Sequence, residues 1–195
     1  MRLFGVTAVS AILLAVLAGP ALAEDDYNGP LQFEDGMYTE SWFLQSFLDL
    51  HEDLETAREA GKRFVIMWEL KGCPYCKETH FKNFADDEIR HFVRGNFEVL
   101  QLNIQGSRMV TDFDGEEVEE RDLAAKYGVR FTPTFQFFPE SVEGLEDRAA
   151  KKREVARIPG YFRPPHFLAM FRYVQERAYT SEDFRSYLKR QLKGS

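Results

Sequence analysis

Trp68-Glu69-Leu70-Lys71-Gly72-Cys73-Pro74-Tyr75-Cys76-Lys77 holds the only two cysteines of the 195-residue chain. The apolar run Phe64-Val65-Ile66-Met67-Trp68 that leads into it has the length and composition of a central strand covered on both faces. Pro74 suits the first position of a helix, where a missing N–H costs nothing. A strand that feeds a Cys-x-x-Cys at a helix start sets the first sulfur beside unpaired N–H groups and the positive end of the helix dipole. That environment favours the thiolate.

Working outward toward the N-terminus, Ser41 to Gly61 carries Phe43, Phe47, Leu50, Leu54 and Ala57 at spacings of four, three, four and three. This is one face of an expected helix, with Ser41 as N-cap and Gly61 as terminator. Its aromatic stripe reads as core. Before it, 24–40 has acids, Gly29 and Pro30 but no periodicity and is expected to be a loose arm. Residues 1–23 have the pattern of a secretory signal peptide: Arg2, an apolar run from Val6 to Leu17, and Ala21-Leu22-Ala23 before Glu24. An uncleaved membrane anchor is the alternative, against which stand the interruption at Gly19-Pro20 and the short apolar run.

Toward the C-terminus the cysteine helix is expected to reach about Asn83. Asp86 then caps a second helix carrying Ile89, Phe92 and Val93 and stopped by Gly95. Phe97 to Ile104 reads as the next strand. The polar stretch from Gln105 to Glu119 contains Asp114-Gly115, a turn signal for a small inserted hairpin. Leu123, Ala124 and Tyr127 mark a short helix ended by Gly128. Thr132-Pro133-Thr134 opens the strand Phe135-Gln136-Phe137-Phe138, where a proline is tolerated and a cis bond would be a deliberate feature. Glu154 to Ile158 is expected to pair antiparallel with that strand. Pro164 starts a helix with Phe167, Phe171 and Val174 inward, and Ser181 or Asp183 caps a last one with Phe184, Tyr187 and Leu188 inward. The result is an α/β domain over 41–195: a central mixed β-sheet flanked by helices, with an extra N-terminal helix, a small insertion hairpin and C-terminal helices.

Composition narrows the function. A formal net charge of −7 and no basic stripe argue against nucleic acid, whose phosphates need clustered Lys and Arg. Export favours a disulfide, but a bridge across two intervening residues closes too small a loop to stabilise the fold much. Such a pair is suited to cycling. Lys77 stands where attachment of c-type haem needs histidine. Three readings remain: redox exchange at Cys73 and Cys76, copper or zinc binding by Cys73, Cys76 and His80, and a structural disulfide in a binding module. His80 otherwise reads as a partly exposed helix residue.

Together, the strand, Cys73-Pro74-Tyr75-Cys76 at a helix start, Thr132-Pro133 opening a later strand and Gly160 after the last one resemble the thioredoxin superfamily. Glu69, Gly72 to Lys77, Asn83-Phe84-Ala85-Asp86, Asn103-Ile104, Phe131 to Thr134 and Ile158-Pro159-Gly160-Tyr161 are similar to exported bacterial thioredoxins of the SoxW type. The resemblance implies a thioredoxin-like fold and a periplasmic thiol:disulfide oxidoreductase. It implies protein disulfides as substrates, a membrane reductant of the CcdA or DsbD kind, no cofactor and no resident metal; the lack of a second cysteine pair or a recognisable dimerisation domain in the sequence favours a monomer over an isomerase. It makes Cys73 the nucleophile and Cys76 the resolving thiol. Pro74 and Tyr75 become tuning residues, and Thr132 and Pro133 the substrate-facing loop. The sequence departs from the thioredoxin pattern at Gly72, where that pattern has tryptophan, and at Met67, where it has a buried aspartate. Glu69, on the same strand face, is then either a proton relay to Cys76 or a solvated strand-end acid.

Overall fold

The computed structural model describes residues 27–33 and 36–193, with side chains described through 191. The expected signal peptide at 1–23 and the first residues of the arm lie outside the described residues. Among the described residues no helix is long and apolar enough to cross a membrane.

A four-stranded sheet organises the chain, in the order β4-β3-β7-β8, with β3 Arg63–Glu69, β4 Phe97–Asn103, β7 Thr134–Phe137 and β8 Ala156–Pro159. β3 pairs parallel with β4, Arg63 opposite Phe97, and antiparallel with β7, Met67 opposite Phe135. β8 pairs antiparallel with β7. All seven residues of β3 are buried, as a continuous apolar run inside a two-sided sheet requires.

Alternation along β3 divides the interior in two. Val65 and Met67 face one core, with Phe97, Val99, Phe135 and Phe137 of the neighbouring strands. Helices α3 Asp87–Asn96, α5 Pro164–Gln175 and α6 Phe184–Lys193 cover that core. Phe171 meets Phe97, Phe137 and Phe167 at centroid distances of 4.8–5.0 Å, within the range of favourable ring pairs. Phe64, Ile66 and Trp68 face the other core, covered by α1 Leu50–Glu59 and α4 Glu120–Lys126. The insertion is the expected hairpin, β5 Met109–Thr111 and β6 Glu117–Glu119.

Two expectations need correction. The first helix begins at Leu50, not Ser41: Asp49 caps it, accepting from the N–H groups of His51 and Glu52, and Leu48 just before has φ 68°. Phe47 therefore points outward, 101% exposed, although it fits the helical stripe; Phe43 is buried but precedes the helix. The arm, in turn, is ordered where it approaches the domain. β1 Leu31–Gln32 pairs antiparallel with β2 Tyr38–Thr39, and Thr39 and Glu40 are buried.

Candidate active site

β3 ends at Glu69. The chain crosses Leu70, Lys71 and Gly72, whose φ of +73° is a conformation that side chains other than glycine's resist, and reaches Cys73. Cys73 is the N-cap of α2 Pro74–Glu78, with Pro74 in the first turn as expected. The helix continues as a π-helical turn, Thr79–Phe84, whose buried residues are Thr79, His80, Asn83 and Phe84. A π turn widens the helix by one residue per turn and is frequent at functional sites.

Cys73 and Cys76 are joined in a disulfide, with Cα atoms 5.3 Å apart. Cys76 is buried, 5% exposed, whereas Cys73 is half-buried. The Cys76 N–H donates to Cys73 Sγ at 3.1 Å, and Thr132 Oγ1 donates to the same sulfur at 3.3 Å. The Thr132–Pro133 peptide is cis, and Thr132 O lies 3.5 Å from Cys73 Sγ. The expected loop thus faces the expected nucleophile. Two donors aimed at one sulfur stabilise it as a thiolate once the bridge opens.

Two cavities flank the disulfide. Tyr75, Phe131, Thr132, Pro159, Gly160 and Tyr161 line one of about 450 Å³. Tyr75 stacks on Tyr161 at 5.9 Å, and both Tyr75 and Phe131 are more than half exposed. The Gly160 N–H donates to Pro133 O at 2.8 Å, fixing the last strand against the proline loop. The other cavity, about 310 Å³, lies between the bridge and the N-terminal hairpin; its lining includes Met37, Tyr38, Glu69, Cys73, Cys76 and Lys77.

Glu69 is 2% exposed, so the solvated strand-end reading is corrected. It lies between Gln101 Nε2, which donates to Oε2, and His80 Nε2, 3.2 Å from Oε1. His80 is fully buried rather than partly exposed. Its Nδ1 lies 2.7 Å from Glu40 Oε1. Burial works against a charged imidazole, but hydrogen bonds to Glu40 and Glu69 and the charges of both carboxylates outweigh it and push the pKa up to about 9. With a carboxylate at each nitrogen, His80 has no lone pair to offer a metal beside Cys73 and Cys76. No group of three or more His, Cys, Asp or Glu side chains is placed to hold a metal ion among the described residues. The copper or zinc reading loses its third ligand.

Reading the sequence missed Glu40, Gln101, Met37 and Tyr38 at the site, and it quoted Tyr161 in the resemblance without a role there. The one available signal was the four-residue spacing from Cys76 to His80, which puts both on one helix face and was weighed only for metal.

Residues 50–175 match the thioredoxin-like domain, and the chain belongs to that family. A thioredoxin-fold protein of Helicobacter pylori shares its fold at TM-score 0.53 and 20% identity, over 69% of this chain and 87% of that one. A thioredoxin of Thermus thermophilus aligns at TM-score 0.47 and 24% identity, over 65% and 83%. The DsbH oxidoreductase aligns at 0.42 and 16%, over 72% and 87%. No curated protein matches the chain. A thioredoxin-like domain whose Cys-x-x-Cys pair forms a disulfide has the make-up of a thiol:disulfide oxidoreductase.

Proposed function

We propose that this protein is an exported thiol:disulfide oxidoreductase of the SoxW type, working as a monomeric reductase of protein disulfides in the periplasm and recharged by a membrane electron conduit of the CcdA or DsbD kind. The observation that carries the redox part is the half-buried Cys73 sulfur, held by the Cys76 N–H and the Thr132 hydroxyl beside the cis Thr132–Pro133 peptide. Export rests on the signal-like pattern of 1–23, and cleavage is expected after Ala23; the N-terminal sequence of the secreted protein tests it.

In the reduced protein the Cys73 thiolate attacks one sulfur of a substrate disulfide. A Cys73–substrate disulfide forms, and the other substrate sulfur leaves as thiolate. Cys76, one helical turn on, loses its proton and attacks Cys73 Sγ; the Cys73–Cys76 bond forms as the substrate's remaining sulfur departs. Two electrons have passed to the substrate. The reductant reverses both steps. Thr132 and Pro133 receive the substrate chain as an added strand, and Tyr75 with Phe131 offers its side chains an apolar wall.

The wild-type protein is expected to reduce insulin disulfides, and Cys73→Ser to abolish that activity. Cys76→Ser is expected to leave substrates trapped on Cys73, from which the natural partner is identified by mass. A wild-type protein that exchanges with no disulfide would refute the reading.

A further inference from the structure

The surface around the disulfide runs against the charge of the chain that carries it. The formal net charge is −7, yet the exposed charged side chains beside the two cavities are mostly cationic. Lys77 follows Cys76 and lines the smaller cavity with both cysteines; its ammonium stands 5.7 Å from the centre of the Tyr38 ring and 5.5 Å from that of Phe81. Lys71, two residues before Cys73, reaches toward the hairpin turn at Gly36. On the other side of the bridge, Arg130 adjoins Phe131, and Arg163 comes two residues after Tyr161, both rings being walls of the larger cavity. The charge of Arg163 reaches the Tyr161 hydroxyl.

Lys71, Lys77, Arg130 and Arg163 are all exposed, and none has an ion-pair partner among the described residues. Glu78, whose charge also reaches Tyr161, is tied to Lys82, so that pair is neutral. Glu40 and Glu69 are buried with His80 between them, and with the imidazole charged they leave one negative charge below the surface. The surface cations outnumber it. Four unpaired like charges about one redox centre cost local repulsion, which an incoming partner of opposite charge relieves.

We infer that this basic rim selects protein disulfides carried on acidic segments, with Asp or Glu flanking the attacked cysteine. The inference rests on the redox reading and names the substrate class of that same site. An apolar residue next to the substrate cysteine sits against Tyr75 and Phe131. Carboxylates to one side of it face Arg130 and Arg163, whose forked guanidinium groups match a carboxylate's two oxygens. Those to the other side face Lys71 and Lys77. The aromatic wall accepts apolar side chains without regard to what flanks them, so discrimination falls to the charges. A single exposed ion pair contributes little. Four cations around one cavity sum their potentials, and the acids elsewhere on the chain are screened from a docked segment beyond about 8 Å at physiological ionic strength.

The test uses single turnovers of the reduced full chain with three fluorescently labelled peptide disulfides. All carry the same Phe beside the cysteine, and their flanks are acidic, neutral or basic. Each rate is divided by that of uncharged dithiothreitol with the same peptide, which removes the peptide's own reactivity. The acidic peptide is expected to react roughly tenfold faster than the basic one at about 0.1 M salt, the low end of electrostatic steering. That ratio is expected to fall toward one at about 1 M salt, where the screening length has shrunk from about 10 Å to about 3 Å. The double variant Arg130→Glu, Arg163→Glu, made at two exposed positions, is expected to lose the preference or invert it. The salt series needs no variant and decides the matter should the double substitution fail to fold. A wild-type chain that treats the three peptides alike, or whose preference survives either high salt or the double reversal, would overturn the inference and leave the redox reading standing. A chain that exchanges with none of them would bring down both.

Discussion

Thr132 Oγ1 stands 3.3 Å from Cys73 Sγ although 59 positions separate the two residues in the chain. The contact joins the strand-opening loop to the helix start, and it offers the attacking sulfur a donor that strengthens as the sulfur becomes an anion. A hydrogen bond to a charged group contributes about 1.5 kcal/mol or more, roughly tenfold in an equilibrium or a rate. Thr132→Val keeps the shape and removes the donor. It is expected to slow attack by Cys73 on a model disulfide about tenfold at neutral pH, measured in single turnovers, whereas Thr132→Ser keeps the wild-type rate. A Val variant as fast as wild type would show the hydroxyl to be idle.

What sequence reading recovered has a short range. Phe64 to Cys76 declares itself because a continuous apolar run, a proline and two cysteines each have one local meaning there. Asp86, Asp114-Gly115 and Pro164 likewise act on their immediate neighbours, and each marks the element expected of it. Phe47 fits the helical spacing and is nevertheless outside, because the backbone at Leu48 turns left-handed and Asp49 starts the helix afresh. Glu40 and His80 lie 40 residues apart, and no periodicity announces that an acid at the end of an unpatterned arm is buried against a ring on the cysteine helix. The π turn that carries His80 was invisible for the same reason: its extra residue does not alter the pattern of apolar positions.

Arg153 is a second buried charge that its surroundings in the sequence conceal. It directly follows the charged run from Glu146 to Lys152, yet its side chain is 2% exposed. Its guanidinium donates to Asp112 Oδ2 at 2.8 Å, Asp114 Oδ2 at 2.7 Å, Tyr127 Oη at 3.2 Å and the carbonyl of Leu145 at 2.8 Å. Arg153→Met strips these acceptors at once and is expected to cost roughly 3 to 5 kcal/mol in urea unfolding. Arg153→Lys should recover little, since one ammonium cannot reproduce the fork. Both variants, where folded, should exchange disulfides at the wild-type rate, because the cluster lies outside the redox centre.

Asp53 stores instability at neutral pH. Burial raises its carboxyl, the hydrogen bond from Ser46 Oγ opposes that, and the charges of Asp49 and Glu52 add to the rise, giving a pKa of about 6 against 3.8. A carboxyl that holds its proton more tightly when folded contributes stability below pH 3.8, and loses it as pH climbs through 6. Asp53→Asn keeps an oxygen for Ser46 and carries no charge. It is expected to be more stable than wild type at pH 7 by roughly 1 to 3 kcal/mol, with the advantage vanishing toward pH 4. Equal urea midpoints at pH 7 would contradict the assignment.

His80 acts over a higher and separate pH range. Its folded pKa of about 9 lies above the ordinary 6.5, because the two carboxylates more than offset burial. The folded state therefore binds this proton more tightly than the unfolded chain does. The resulting stability is fully present below pH 6.5, declines between 6.5 and about 9, and is gone above that. One such group changes unfolding free energy by at most about 1.4 kcal/mol per pH unit. Urea unfolding of the oxidised protein from pH 6 to 10 should show that decline, and His80→Gln should flatten it while lowering stability at pH 6. Oxidised protein is the right sample because its cysteines do not titrate. A wild-type decline that persists unchanged in the folded variant would place the proton on another group and would remove the imidazolium from between Glu69 and Glu40.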